Sequence, residues 1–261
     1  MHASLIPLIK NFSSDEIVAL HAIPWTSPVP VFGDVTRSRI ATLGLNPSDK
    51  EFVDGKGGEL ENADRRFPTL KSLGLQSWEH AEDAHALEIF HACTQYFHRN
   101  PYDGWFKSLD SLIRGTGASY YSFDNPACHL DLIPYATRNK WGLLPSSHKE
   151  DLLSRFGSEF LERLRGTAVR VLVLNGASVV QGFEQATGLE LKREKKPRWN
   201  LPRKSGEHVL GYAFSGDFQI SRKSNSTVRI LGYNHNIQSS FGVTNKVRSE
   251  IQLWISEESR K

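Results

Sequence analysis

A loop with hydrogen-bonding side chains occurs at GLNPSD, residues 44–49. Gly44 permits a tight turn and Pro47 stiffens the loop, so the Asn46 side chain projects from it. The Asn46 amide can donate and accept hydrogen bonds, and the carboxylate of Asp49 follows three residues later. The same composition is common in ordinary turns that follow strands, so this segment alone does not distinguish a catalytic role from a structural one.

A second candidate segment is HLDLIPY, residues 129–135, where His129 and Asp131 interrupt an apolar run. Burying such groups costs free energy unless they are paired or used. Because side chains alternate along a strand, His129 and Asp131 point to the same face. The structural alternative is a buried Asp131 that caps a helix or pairs with Arg138.

The third segment is GYNHNIQSS, residues 232–240, in which His235 lies between two Asn residues. An isolated His is usually a packing or surface residue. This one shares with the other two segments a position directly after an apolar run, and together they provide many hydrogen-bond donors.

Four apolar runs, three of them rich in β-branched residues, predict buried parallel strands. They cover residues 40–45, 127–133, 169–174 and 228–231. Helical patterns separate them, which predicts an α/β fold, a three-layer α/β/α sandwich around a central four-stranded parallel sheet. Ligands of such sheets bind at the carboxyl ends of the strands, where the three candidate segments lie.

One segment, about 190–227, breaks this alternation and is predicted to be a small antiparallel hairpin inserted before the last strand. Residues 191–223 carry nine positive and three negative charges. This surplus is typical of a solvated loop, and the interleaved Trp199 also allows a surface that follows phosphates. Residues 1–261 are expected to form a single domain. We also predict a helix from Asp64 or Arg65 to about Leu73, and a last helix capped by Thr244.

The composition, 39% hydrophobic and 23% charged with a net charge of +3, is that of a soluble globular protein. Cys93 and Cys128 are far apart, so no structural zinc, other metal or cofactor is expected. The chain has no apolar stretch of membrane-spanning length and no secretory leader pattern. We therefore expect a cytoplasmic protein that does not contact membranes and is a monomer.

GLNPS resembles the first motif of the uracil-DNA glycosylase superfamily, especially the GINPG and GMNPG forms of its mismatch-specific and single-strand-selective branches. RRFPTLKSLGL resembles the helix that follows that motif. HLDLIPY, LVLNGASVV and GYNHNIQSS resemble the pyrimidine-recognition strand end, the third strand with its glycine turn, and the HPSP-like loop. The similarity covers most of residues 38–245. It implies a monofunctional DNA glycosylase that flips a nucleotide out of DNA and hydrolyses its base–sugar bond.

The resemblance implies a role for each matching residue. Asn46 holds the attacking water, with Asp49 as a rival activating carboxylate, and His235 donates to the pyrimidine O2 as charge develops on the leaving base. Phe52 and Phe67 are candidates for stacking on the flipped base, and core packing is equally open for both. The wedge that fills the vacated stack is expected among Ile237, Gln238 and Ser239. The basic insertion has no clear counterpart in the family, and its charges make Lys195, Lys196 and Arg198 the candidates for contacting phosphates.

Two departures from the family pattern concern the substrate. Asp131 stands where uracil-specific members carry Asn; a carboxylate accepts from the cytosine N4 amino group, and a protonated Asp131 also donates to N3. Ser48 replaces a bulky Tyr and leaves room beside C5 of the base. Together, Asp131 and Ser48 favour a cytosine substituted at C5, and His129, on the same face as Asp131, is a further candidate for binding the substrate.

The whole pattern is similar to anti-phage glycosylases that excise glucosylated 5-hydroxymethylcytosine, which makes this base in phage DNA the preferred substrate. Arg198, Trp199 and Asn200 of the insertion are candidates for contacting the sugar. Two alternatives stay open. One is a repair glycosylase for uracil or mismatched thymine, and the other is a catalytically silent nucleic-acid-binding module with the same fold.

Overall fold

The computed structural model describes residues 5–11, 19–99, 103–203, 206–221, 224–238 and 242–261. Its strands are β1 (Val31–Phe32), β2 (Ile40–Gly44), β3 (Ala127–Asp131), β4 (Val171–Asn175), β5 (Lys192–Lys195), β6 (Leu201–Pro202), β7 (His208–Val209), β8 (Tyr212–Ser221) and β9 (Ser224–Tyr233). Its helices are α1 (Leu5–Asn11), α2 (Asp83–Thr94), α3 (Tyr96–Arg99), α4 (Asp103–Ile113), α5 (Ser146–Arg165), α6 (Ala177–Thr187) and α7 (Asn245–Glu258).

A mixed sheet with the strand order β1-β3-β2-β4-β9-β8-β5 runs through the protein. The strands β3, β2, β4 and β9 are parallel neighbours, and each overlaps one of the four apolar runs of the sequence. The expectation of a four-stranded sheet is wrong, because the sheet has seven strands. The additional strands pair antiparallel at the two edges, with β1 against β3 at one edge and β8 and β5 beyond β9 at the other.

Helices cover both faces of the parallel centre. Leu130, Leu43, Leu174 and Gly232 are register partners and therefore share one face, where Gly232 lies against Val180 of α6. Neighbouring residues along a strand point to the opposite face. That opposite face includes His129, whose ring packs against that of Phe106 of α4 with the two ring centroids 5.4 Å apart. The buried apolar side chains of both layers belong to one continuous core.

The insertion differs from the predicted hairpin. Residues 212–221 form the single strand β8, which pairs with β9, so the hairpin includes the last strand and extends the central sheet. The edge strand β5 has the sequence KREK and is exposed throughout. Charges on an edge strand oppose pairing with other chains, which gives this basic segment a structural role independent of any ligand.

The predictions for two helices have different outcomes. Thr244 caps α7 as expected, since its side chain accepts a hydrogen bond from Val247 N. The helix predicted from Asp64 or Arg65 to Leu73 is wrong; the region contains a short 3₁₀ helix, Asn62–Asp64, followed by turns. Thr69 and Ser72 bond each other's backbone with their side chains, which competes with helical hydrogen bonding. No helix in the described part of the chain has the length and apolar character needed to cross a membrane.

Candidate active site

A cleft of about 610 Å³ opens at the carboxyl ends of the parallel strands. Its lining from these strand ends comprises residues 44–48 after β2, His129 and Asp131 of β3, residues 175–179 at the end of β4, and Asn236 and Gln238 after β9. The three segments singled out in the sequence thus contribute to one cavity, although they lie far apart along the chain. This is the position at which open α/β sheets bind ligands.

The Asn46 amide has a fixed orientation. Thr137 donates its hydroxyl hydrogen to Asn139 O at 2.7 Å, so Thr137 Oγ1 is an acceptor for Asn46 Nδ2 at 2.9 Å. Asn46 Nδ2 also donates to Pro47 O at 3.0 Å. With its NH₂ group engaged, Asn46 presents Oδ1 as the atom that can accept a hydrogen bond from a water molecule.

Gly44 makes room for the two polar side chains of β3. It pairs with Asp131 across the sheet, and a Cβ atom on Gly44 would lie within 3.0 Å of both Asp131 Oδ1 and His129 Nε2. His129 and Asp131 are each 2% exposed and their side chains are 3.5 Å apart. The carboxylate and the imidazole therefore occupy the space above the backbone of Gly44, at the floor of the cleft.

A buried chain of hydrogen bonds leads to His129. Thr42 Oγ1 lies 2.5 Å from Tyr120 Oη and 2.6 Å from His129 Nδ1, so these three side chains are linked in the core. Burial holds the pKa of Tyr120 well above its ordinary value, so its hydroxyl stays protonated. The other ring nitrogen of His129, Nε2, lies 3.5 Å from Asp131 Oδ1.

Glu51 is a lining residue that the sequence analysis missed. It ends the 3₁₀ helix Asp49–Glu51, is 2% exposed, and accepts hydrogen bonds from Tyr96 Oη at 3.0 Å and Arg66 Nη1 at 3.2 Å. Burial raises the pKa of its carboxyl, which the Arg66 charge partly offsets. Asp49, the carboxylate we expected at the reaction centre, does not line this cleft. It accepts a hydrogen bond from Ser48 and borders a smaller neighbouring pocket.

Gln238 lines the cleft and carries a buried amide nitrogen. Tyr233 donates to Asn175 Oδ1 at 2.6 Å, and Asn175 Nδ2 then donates to Gln238 Oε1 at 3.1 Å. This order leaves Gln238 Nε2 as a buried donor without a partner among the described residues. Buried unpaired donors are rare, so this group is suited to a ligand carbonyl. Asn175 directly follows the apolar run at residues 169–174. The rule that ligands bind at the carboxyl ends of parallel strands would have identified it from the sequence.

His235 does not line the cleft, contrary to the expectation that it contacts the base. It is 3% exposed and its Nε2 donates to Trp199 O at 2.7 Å. Burial lowers its pKa, which keeps the imidazole neutral. In this arrangement His235 links the loop after β9 to the insertion, and Asn236 and Gln238 are the described residues of that loop that line the cleft.

The expected stacking rings and wedge are also placed differently. Phe52 and Phe67 are each 1% exposed and pack together in the core, with their ring centroids 5.7 Å apart. Ile237 is fully buried, so it cannot enter a base stack, and Ser239 lies outside the described residues. The half-buried rings that line the cleft are Trp105 and Trp141, which the sequence analysis did not select.

The predicted cations of the insertion lie outside the cleft. Lys195 is on the exposed edge strand β5, Lys196 pairs with Glu194, and Arg198 lies 3.6 Å from Glu250. Trp199, proposed to contact a sugar, is 2% exposed and packs against Trp254. None of these residues is positioned to contact a ligand in the cleft.

Positive potential at the rim comes from other elements. The first turn of α6 lines the cleft, and a helix N-terminus attracts anions such as phosphate. Lys140 lies at the rim and begins a segment with a 3₁₀ helix, Trp141–Leu143. Leu143 is 74% exposed, and Lys149 reaches back to Gly142 O at 3.5 Å. An exposed apolar side chain flanked by cations thus adjoins the cleft.

No protein-family model matches this sequence, and a search of curated proteins returned no match. Within the described residues, no group of three or more His, Cys, Asp and Glu side chains is arranged to hold a metal ion. The chemistry of the cleft follows from its own side chains. They offer a water-orienting amide, a buried carboxylate with its imidazole, an unpaired amide donor and two aromatic rings.

Proposed function

We propose that this protein is a monofunctional DNA glycosylase that hydrolyses the base–sugar bond of a flipped pyrimidine nucleotide. Its preferred substrate is a cytosine with a bulky substituent at C5, such as glucosylated 5-hydroxymethylcytosine in phage DNA. The observation that carries the proposal is the convergence of Asn46, Asp131 and Gln238 from three strand ends on one cleft. Each offers a different hydrogen-bonding function, as recognition and hydrolysis of one base require.

In this mechanism Asn46 Oδ1 holds the water whose oxygen bonds to C1′ as the C1′–N1 bond breaks. Such cleavage has oxocarbenium character and water adds late, so an amide that orients the water suffices. The bonding electrons leave with the base, and Gln238 Nε2 donates to the O2 atom on which negative charge accumulates. The water loses its proton to solvent, and the leaving base takes one up.

Base recognition is assigned to β3. Asp131 accepts a hydrogen bond from the N4 amino group of cytosine. The His129 ring lies beside this carboxyl, with Nε2 at 3.5 Å from Asp131 Oδ1. Trp105 stacks on the ring, since it is half-buried and lines the cleft but not the smaller neighbouring pocket.

DNA contact is assigned to the rim, with Leu143 as the side chain that fills the vacated stack and with Lys140 and Lys149 beside phosphates. Extruding a base from a duplex costs a few kcal/mol, and an inserted apolar side chain offsets part of this cost. This assignment replaces Ile237, which is buried.

The decisive experiment uses duplexes of one sequence that contain cytosine, uracil, 5-hydroxymethylcytosine or glucosylated 5-hydroxymethylcytosine at a single position. Abasic sites are scored by alkaline strand cleavage. We expect cleavage of the glucosylated duplex and none of the cytosine duplex. The variant D131N is expected to lower cleavage of the glucosylated duplex. Cleavage of the uracil duplex alone would instead support a repair glycosylase, and cleavage of none would refute glycosylase activity.

A further inference from the structure

A second, smaller cavity adjoins the cleft and is called the side pocket here. It has a volume of about 220 Å³, and residues 45–48, Lys140 and Trp141 line both cavities. The side chains that line only the side pocket are those of Asp49, Thr137 and Asn139. Asn46 and Ser48 therefore separate a ligand in the cleft from the side pocket.

The lining of the side pocket suits a neutral, hydroxyl-rich group. Among the described residues that line it, Asp49 and Lys140 carry opposite charges, so no net charge selects for an ion. Asp49 accepts a hydrogen bond from Ser48 at 3.0 Å, which fixes its carboxylate, and Asn139 adds an amide. The face of Trp141 offers an apolar surface for the C–H face of a ring.

Size points to the same class of ligand. A volume of 220 Å³ corresponds to about seven water molecules at roughly 30 Å³ each. This exceeds what a methyl or hydroxymethyl group needs and matches one sugar ring. The larger cavity beside Arg65, Arg66 and Arg99 has about 760 Å³ but has no lining residue in common with the cleft among the described residues.

We propose that the side pocket binds a single sugar ring carried by the base, while the base itself occupies the cleft. The inference rests on the proposed glycosylase function, and it assigns substrate selection to Asp49, Asn139 and Trp141. The short link from C5 to the sugar passes beside Ser48, whose small side chain leaves the passage open. The side pocket also gives Asp49 a role other than activating water.

The test compares two duplexes that differ only in the sugar, with 5-hydroxymethylcytosine or its glucosylated form at one position. Both kcat/KM and the affinity measured by fluorescence anisotropy are determined. The variants are N139A and D49N, and the matched controls are N125A and D124N, which change exposed residues of a distant loop. Asn139 accepts from Thr137 through its backbone carbonyl, so N139A leaves the support of Asn46 intact.

We expect wild-type protein and both controls to prefer the glucosylated duplex, and each pocket variant to lower that preference at least tenfold. The proposal that the side pocket binds the sugar would be overturned by equal affinity of the wild-type protein for the two duplexes. It would also be overturned if the pocket variants weakened binding of both duplexes equally. Preferential binding that depends on Asn139 without any base release would keep the side pocket and overturn the hydrolytic function. The two proposals can therefore fail separately.

Discussion

Thr137 Oγ1 accepts a hydrogen bond from Asn46 Nδ2 at 2.9 Å while it donates its own hydrogen to Asn139 O at 2.7 Å. The direction of the second bond determines that of the first, because a backbone carbonyl can only accept. Thr137 therefore decides which end of the Asn46 amide is free to hold water. Thr137 is 3% exposed, and we assign it a positioning role behind Asn46, the residue that holds the water in the proposed mechanism.

Replacing Asn46 or Thr137 should slow base release to different extents. N46A removes the water-holding oxygen and is expected to lower the single-turnover rate about 100-fold, the scale measured for one preorganised polar group. T137V keeps the shape but allows the amide to rotate, and a loss of roughly tenfold is expected. T187V, at the end of α6, is the matched control. A wild-type rate for T137V would contradict the positioning role.

Gly44 should not tolerate a methyl group. G44A puts Cβ within 3.0 Å of Asp131 Oδ1 and His129 Nε2, so β2 or these side chains must move. Overpacking of this kind costs about 1–3 kcal/mol in the free energy of unfolding, and base release should fall at least tenfold. G55A has open space around its Cβ and is the control. Urea denaturation and single-turnover kinetics measure both effects; a fully active G44A would show that the Asp131 position is unimportant.

His235 should make stability depend on pH. Burial lowers its pKa in the folded protein below the value of 6.5, so below pH 6.5 the unfolded chain binds a proton that the folded chain does not. The free energy of unfolding therefore falls as the pH drops from 6.5 towards the folded pKa, by at most about 1.4 kcal/mol per pH unit.

The variant H235Q retains a donor for Trp199 O and removes this titration. We expect its free energy of unfolding to fall less steeply over that pH range, measured by urea denaturation, while base release changes less than threefold. H80Q, at an exposed position, should keep the wild-type dependence because His235 is still present. A 100-fold loss of rate in H235Q with unchanged pH dependence would mean that His235 contacts the base after all.

Leu143 should matter for duplex DNA and not for single strands. A single strand needs no base extrusion from a stack, so the contribution of a wedge disappears there. L143A is expected to lose at least tenfold in kcat/KM on a duplex and less than twofold on the same sequence as a single strand. F123A changes a residue of the same 74% exposure and is the control. Equal losses of kcat/KM on the duplex and on the single strand would show that Leu143 does not fill the vacated base stack.

The central part of the fold could be predicted because its residues carry a strong local signal. Buried parallel strands are mostly apolar, and each of β2, β3, β4 and β9 overlaps one of the apolar runs. The edge strands carry no such signal. β1 has only two residues and β5 has the sequence KREK, so the count of strands depends on pairing that the sequence does not encode locally.

The site could be predicted to the level of loops and not of individual side chains. Strand ends indicated where Asn46 and Asp131 would lie, because the carboxyl ends of parallel strands share an edge. Side-chain direction within a loop depends on contacts with distant residues. Glu51 turns inward to Tyr96 and Arg66, whereas Asp49 was the carboxylate expected at the reaction centre. Ile237 turns into the core, whereas it was expected to fill the vacated base stack.

The pairing of Gly44 with Asp131 also makes the candidate site depend on the correct register between β2 and β3. A slip of β3 by one residue along β2 would exchange its two faces, exposing Cys128 and Leu130 where His129 and Asp131 belong. Such a molecule would retain most of its sheet hydrogen bonds yet lose its recognition groups completely. Misregistered chains should therefore be inactive molecules rather than weakly active ones, and titration of functional sites would count the correctly folded fraction directly.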